Sequence, residues 1–211
     1  MTVLVGVGFA LVSLALFAAL VATPEAPGLG ALARSEIAAT GVSNPVTAVL
    51  LDYRAYDTLL ELVVVLLAAV AAGALAPREP APAQLDGPVA EAAAGLLTPG
   101  IVLMAGYLLW IGSKAPGGAF QAASLLAGGL ILLEVTGKTP PPRSEAVTRA
   151  VAGLGVLAFL GVGVAVAAAN GVFLDHPASI AGSLILAIES AATLGIAAGL
   201  LALFRAGTAS A

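Results

Sequence analysis

The residues able to do ion chemistry are the few charges that interrupt apolar runs. The densest group is Asp52-Tyr53-Arg54-Ala55-Tyr56-Asp57-Thr58-Leu59-Leu60-Glu61. At helical spacing Arg54 and Asp57 stand three apart, and Asp57 and Glu61 four apart, so two acids and one base project from one face. Such a stripe can hold or pass a cation or a proton. Glu61 lies one turn inside an apolar run, where an ionised side chain costs about 2.5–3.5 kcal/mol on insertion scales. Asp52 and Asp57 also have a simpler reading as acids favoured at a helix N-terminus, with Arg54 reaching to the interface. Glu189 stands alone in Ser-Leu-Ile-Leu-Ala-Ile-Glu-Ser-Ala-Ala-Thr, with no base within helical reach. Either it is protonated, or it faces a wet cavity or a cation.

Three further residues have local explanations. Glu134 is followed four residues later by Lys138, and the two are expected to pair where their helix meets the headgroups. Lys114 lies in Gly112-Ser113-Lys114-Ala115-Pro116-Gly117-Gly118-Ala119-Phe120-Gln121, a tight turn whose backbone groups lipid cannot satisfy. If the turn dips inward, Lys114 is an ion-path candidate; if it stays at the surface, Lys114 is a solvated loop charge. His176, beside Pro177, is expected to be an exposed loop residue.

Other chemistry is excluded by composition. With no cysteine and one histidine, the chain has no disulfide, thiolate zinc site, iron–sulfur cluster or cysteine nucleophile, and no His-based metal site. There is no Gly-x-x-x-x-Gly-Lys-Ser/Thr phosphate loop, no Ser/His/Asp arrangement with a plausible base, and no soluble stretch long enough for a nucleotide domain. A net charge of −4 with scattered Lys and Arg gives no nucleic-acid surface. No catalytic residue, metal site or cofactor is expected, and the chain reads as a non-enzyme that handles ions or supports a complex.

The elements that must position these charges are membrane helices. Of 211 residues 60% are apolar and 9% charged, against about 25% charged in soluble domains. The fold class is an all-α membrane protein with about six transmembrane helices, each needing about 20 apolar residues. The runs are Val3–Ala22, Pro45 to about 76, then about 92–112, 119–136, 149–169 and 179–204. Val3–Ala22 lacks the basic start of a secretory signal and exceeds its usual apolar length of about 7–15 residues, so it reads as a retained helix. Residues 23–45 are irregular, with a short interfacial helix at Ala31–Thr40. Residues 77–88, Pro-Arg-Glu-Pro-Ala-Pro-Ala-Gln-Leu-Asp-Gly-Pro, read as a stiff extended linker.

Loop charges set the expected orientation. Arg78, Lys138, Arg143, Arg149 and Arg205 fall on the side of both termini, against Arg34, Arg54 and Lys114 on the other, so both termini are predicted cytoplasmic. Gly153, Gly155, Gly161 and Gly163 in the fifth span and Gly195 and Gly199 in the sixth allow helix backbones to approach closely. With 5% aromatics there is little material for an interfacial belt, so much of the surface is expected to face other protein subunits.

Asn44 to Glu61 resembles the signature N-x-V-x-x-I-L-x-D-x-R-x-x-D-T-x-G-E. That signature belongs to the C-terminal part of the large A subunit of Mrp-type multisubunit sodium/proton antiporters and to the small E subunit of membrane-bound hydrogenases. Asp52, Arg54, Asp57, Thr58 and Glu61 match, while Leu60 replaces the glycine. From about residue 88 onward the chain is similar to the Mrp B subunit. Gly112 to Phe120 follows its G-H-N-A-P-G-G-G-F, with Ser113 and Lys114 in place of His-Asn and Ala119 in place of a glycine. Glu189 falls where that subunit typically has an acid in its last span.

The resemblance implies a fusion: 1–76 as a two-helix segment like the A subunit's end, 77–88 as linker, and 89–211 as a four-helix B-like domain. It implies an accessory membrane subunit of a cation (Na+)/proton antiporter complex, contributing to an ion translocation path and to assembly. Its partners would be other membrane subunits of an Mrp-type complex, large antiporter-like ones included, with the lipid bilayer and Na+ or H+. The location implied is the inner (plasma) membrane of a bacterium or archaeon, crossed several times. The ion-path candidates are then Asp52, Arg54, Asp57, Glu61, Lys114, Glu134 and Glu189. The alternative is a structural membrane subunit of an Mrp-related redox-driven or inorganic-carbon-uptake complex, hydrogenase-like in kind.

Overall fold

The computed structural model describes residues 2–22, 28–75, 85, 87–138 and 145–208. Among them every regular element is helical. The linker at 77–88 lies mostly outside the described residues; of its described part, the Leu85 N–H donates to the Val135 carbonyl at 2.6 Å and Pro88 opens a helix.

Two compact units divide the chain, 1–35 and 36–211. The first holds α1, Thr2–Ala22, and α2, Leu29–Ser35. Leu11, Val12, Leu14, Leu16, Phe17 and Val21 all lie exposed within this unit. In α2 the Arg34 guanidinium folds back onto the Gly30 carbonyl at 3.1 Å, as a base near a helix C-terminus does.

The second unit begins with a 3-10 turn at Ile37–Thr40, then α3 at Pro45–Ala48, a π turn at Val49–Tyr53 and α4 at Ala55–Leu75. It continues with α5 at Pro88–Ile111, α6 at Ala119–Val135, α7 at Glu145–Asn170 and α8 at Ala181–Thr208. Among the described residues α4, α5, α7 and α8 are long and apolar enough to cross a membrane; α6, at 17 residues, is shorter. The all-α membrane class is therefore borne out.

The run read as one helix from Pro45 is broken. The Arg54 N–H reaches back five residues to the Val49 carbonyl, and Arg54 sits at φ −126, ψ 34. The Leu50 carbonyl is instead taken by the Thr58 hydroxyl at 2.5 Å. One residue too many has been wound into the turn, a π distortion of the kind that collects at functional sites.

The second unit is built around α8, which packs on α4, α6 and α7. Its buried side carries Ala181, Ile185, Ile188, Glu189, Ala192, Gly195, Ile196 and Gly199, spaced three and four apart as one helical face requires. A Cβ at Gly155 would stand 2.8 Å from the Ala192 Cα, and one at Gly195 would stand 3.0 Å from the Ala152 carbonyl. α7 and α8 therefore cross in backbone contact, which only glycine permits. Gly153 and Gly161 meet nothing within 4 Å, so of the four glycines in α7 only the pair two turns apart, Gly155 and Gly163, serves packing inside the unit.

Candidate functional site

The site is assembled where two irregular backbones meet. Between α5 and α6 the chain turns through Gly112–Gly118, and its glycines are required by space. A Cβ at Gly112 would fall 2.7 Å from Gly118, and one at Gly117 would fall 2.5 Å from the Leu108 carbonyl. The turn is gripped from the α3 side. The Asn44 amide donates to the Gly112 carbonyl at 2.7 Å and the Ala115 carbonyl at 2.9 Å. The Thr47 hydroxyl donates to Gly112 at 2.6 Å. The backbone N–H groups of Ser43 and Asn44 both donate to the Ser113 carbonyl. Asn44 also caps α3 by accepting from the Val46 N–H at 3.1 Å, the role that suits an Asn before Pro at a helix start.

Glu189, on the buried face of α8, points at this turn. Its carboxylate meets the Ala119 backbone N–H at the first residue of α6, so the positive end of the α6 dipole faces it. Its Oε2 is buried without a hydrogen-bond partner. Beside it lies a cavity of about 30 Å³, lined by Thr47, Leu51, Thr58, Gly118, Gln121 and Glu189 among others. That is room for one water or one small cation, and a buried carboxylate oxygen there needs such a partner.

A second pair sits on the other side of the break. His176, in the loop between α7 and α8, has a side chain with 0% exposure, and its Nδ1 stands 3.8 Å from Asp52 Oδ1. This corrects the expectation of an exposed loop residue. Three contacts dock the loop: Phe173 fills the space left by Gly163, the Phe173 and Tyr56 rings lie 5.6 Å apart, and the Ala178 carbonyl abuts Gly41. Burial lowers the His176 pKa below its ordinary 6.5, with Asp52 acting in the opposite sense. Burial likewise raises the Asp52 pKa, against the opposing pull of His176.

The other candidates are dispersed. Arg54 and Asp57 form an exposed ion pair. Glu61 is exposed on α4, and Lys114 is exposed with its ammonium 5.3 Å over the Trp110 ring. Glu134 does not pair with Lys138 as the local spacing predicts. Its two oxygens accept from Arg205 of α8 at 2.9 and 2.7 Å, and Lys138 donates to the Glu91 carbonyl at 2.7 Å. A bidentate, part-buried guanidinium fork is worth more than an exposed pair four residues apart. Glu134→Gln is expected to destabilise by about 1–3 kcal/mol, since it leaves a part-buried Arg205 half paired, as a thermal melt would show. Among the described residues no three His, Cys, Asp or Glu gather as a metal site.

Asn44, Thr47 and His176 were not among the candidates. Asn44 carried a readable signal, an amide immediately before proline at a helix start. His176 carried none.

The sequence profile described as "Domain related to MnhB subunit of Na+/H+ antiporter" matches residues 89–209, more than half of the chain. No curated protein matches the sequence. Among solved structures, a chain in the structure of the Mrp complex from Dietzia sp. DQ12-45-1b aligns with TM-score 0.69 and 28% identity, over 96% of this chain and 25% of that one. The protein thus spans about a quarter of the length of that relative. A chain of the membrane-bound sulfane sulfur reductase, an archaeal respiratory membrane complex, aligns with TM-score 0.76 and 22% identity over 97% of both chains, a likeness of fold. The chain belongs to the family of domains related to the MnhB subunit of Na+/H+ antiporters and is a multi-pass protein of a prokaryotic plasma membrane.

Proposed function

We propose that this protein is an accessory membrane subunit of an Mrp-type cation/proton antiporter complex, with the Glu189 cavity a station on its ion path. The observation that carries this reading is the buried, unpartnered Oε2 of Glu189 against a cavity of about 30 Å³. An acid held inside a span at such cost is a functional residue by default. The fusion of a 1–76 segment to an 89–211 domain belongs to the same reading. It is supported by a match to the Mrp-complex chain that extends well beyond residues 89–209. Asp57, Arg54, Glu61 and Lys114 are exposed within the unit, where contacts to neighbouring subunits would engage them.

The test is Glu189→Gln in the assembled complex, which keeps the shape and removes the charge. Sodium- or proton-coupled transport in inverted vesicles is expected to fall at least about tenfold, the effect of about 1.4 kcal/mol on a barrier, while native gels recover the complex. Unchanged transport at several pH values overturns the ion-path role. Lost assembly with normal turnover in the remainder would instead favour a purely structural subunit. The end-to-end likeness of fold to a chain of a respiratory complex supports the second reading, a structural membrane subunit of a redox-driven relative. The catalytic genes flanking this one separate the two.

A further inference from the structure

The π turn has two faces with different neighbours. Leu50 and Leu51 line the Glu189 cavity, and the next residue, Asp52, faces His176. The imidazole has 0% exposure, and neither ring nitrogen has a hydrogen-bond partner. Asp52 is 21% exposed, so it alone of the two reaches the surface of the unit. Their 3.8 Å separation is too long for a hydrogen bond, and a shift of less than an ångström of the loop or the π turn closes it.

We propose that Asp52 and His176 form a one-proton site at the break between α3 and α4, loaded from water through Asp52, which sets the packing of the Glu189 cavity through the π turn. The proton arrives on the Asp52 carboxylate from water and passes to His176 Nδ1. This leaves an imidazolium beside a carboxylate and draws the two together. Loss of the proton reverses the step and leaves the imidazole neutral and the gap open. The charged groups acting on the imidazole are Asp52 from the π turn and Asp175 from its own loop. Glu36 reaches the cluster only through Tyr53, and Arg54 is turned to Asp57. The loop resists displacement: Leu174 is held at φ +63, a conformation that side chains avoid unless their surroundings impose it. The link to Glu189 rests on the ion path proposed above; the proton site itself does not.

The experiment therefore has two arms, both on the intact complex. In the first, histidine is labelled with 15N and the His176 signal is identified by its absence in His176→Asn, since this chain contributes one histidine. The signal is expected to titrate below the ordinary 6.5 of histidine, and Asp52→Asn is expected to move the midpoint lower still, because it removes the stabilising charge. A titration indifferent to Asp52→Asn overturns the site. In the second arm, transport by the parent complex is expected to show an acid limb of about tenfold per pH unit, the slope of one proton, which His176→Asn abolishes. Retention of the limb in His176→Asn, with the first arm positive, overturns the coupling to the cavity and leaves the proton site standing. Loss of the limb with Glu189→Gln fully active upholds the proton site and overturns the Glu189 reading alone.

The same pair fixes a sign for stability. The unfolded chain binds a proton at His176 more readily than the folded one, so stability is present above about 6.5 and declines as pH falls through that value. His176→Asn removes this decline in thermal melts. Asp52 has the opposite sign: its pKa is raised above 3.8, so its contribution is full below that value and lost as pH rises through the folded one.

Discussion

Asn44→Ala is expected to lower the stability of the assembled complex by roughly 3 kcal/mol and to cut its recovery on native gels. The side chain donates to two carbonyls of the Gly112–Gly118 turn and accepts the first free N–H of α3. Loss of the cap costs about 1 kcal/mol. The two lost donations to carbonyls together add about 2 kcal/mol. Gly112 keeps the Thr47 hydroxyl, so the Ala115 carbonyl carries the larger penalty. Asn44→Asp provides the discriminating companion. It retains the capping oxygen, loses both donors and turns a carboxylate toward two carbonyl oxygens. Melting of purified complexes should rank parent, then Ala, then Asp. If Asp melts above Ala, capping rather than the grip on the turn is the function of Asn44.

This grip explains why two stretches of unusual sequence, 44–61 and 112–120, occur in one chain: each satisfies the backbone that the other leaves open. Both stretches stand out in the sequence, 44–61 by its cluster of charges and 112–120 by its Pro-Gly-Gly turn. The sequence could not show that they touch, since their contact joins residues 65 to 71 positions apart and leaves no periodicity. The spans themselves were legible to within a few residues because lipid imposes a length and an apolar composition on each. The π turn was not, since Val49-Leu50-Leu51-Asp52-Tyr53 has the composition of any span end. The lone acid in the last span was legible because charge is costly there. His176 was missed for the converse reason: a histidine beside proline in a loop is ordinary, and only the docking of that loop buries it. Glu134 shows the limit of local rules, its partner being Arg205 on another helix and not the lysine one turn away.

Gly118→Ala is expected to have the largest single effect on the site, about 2–6 kcal/mol of destabilisation together with loss of transport. Gly118 sits at φ +107, ψ −172, a region open in practice to glycine alone, and forcing a side chain into it costs about 1–3 kcal/mol. The added methyl would also stand 2.8 Å from Glu189 Oε1, and overpacking of this kind costs a further 1–3 kcal/mol or so. The carboxylate must then leave its place at the head of α6, so this substitution should abolish transport without altering any titratable group. A double-mutant cycle separates the two costs. Glu189→Ala in the Gly118→Ala background removes the clash and keeps the backbone strain, so stability should recover by about 1–2 kcal/mol, the size of a direct contact. Gly128→Ala, where nothing lies within 4 Å, is the control and should be neutral or slightly stabilising, as an alanine in a helix interior usually is. Equal melting temperatures for Gly118→Ala and Gly128→Ala would show that the turn yields without cost, and that something other than this glycine holds Glu189 against its cavity.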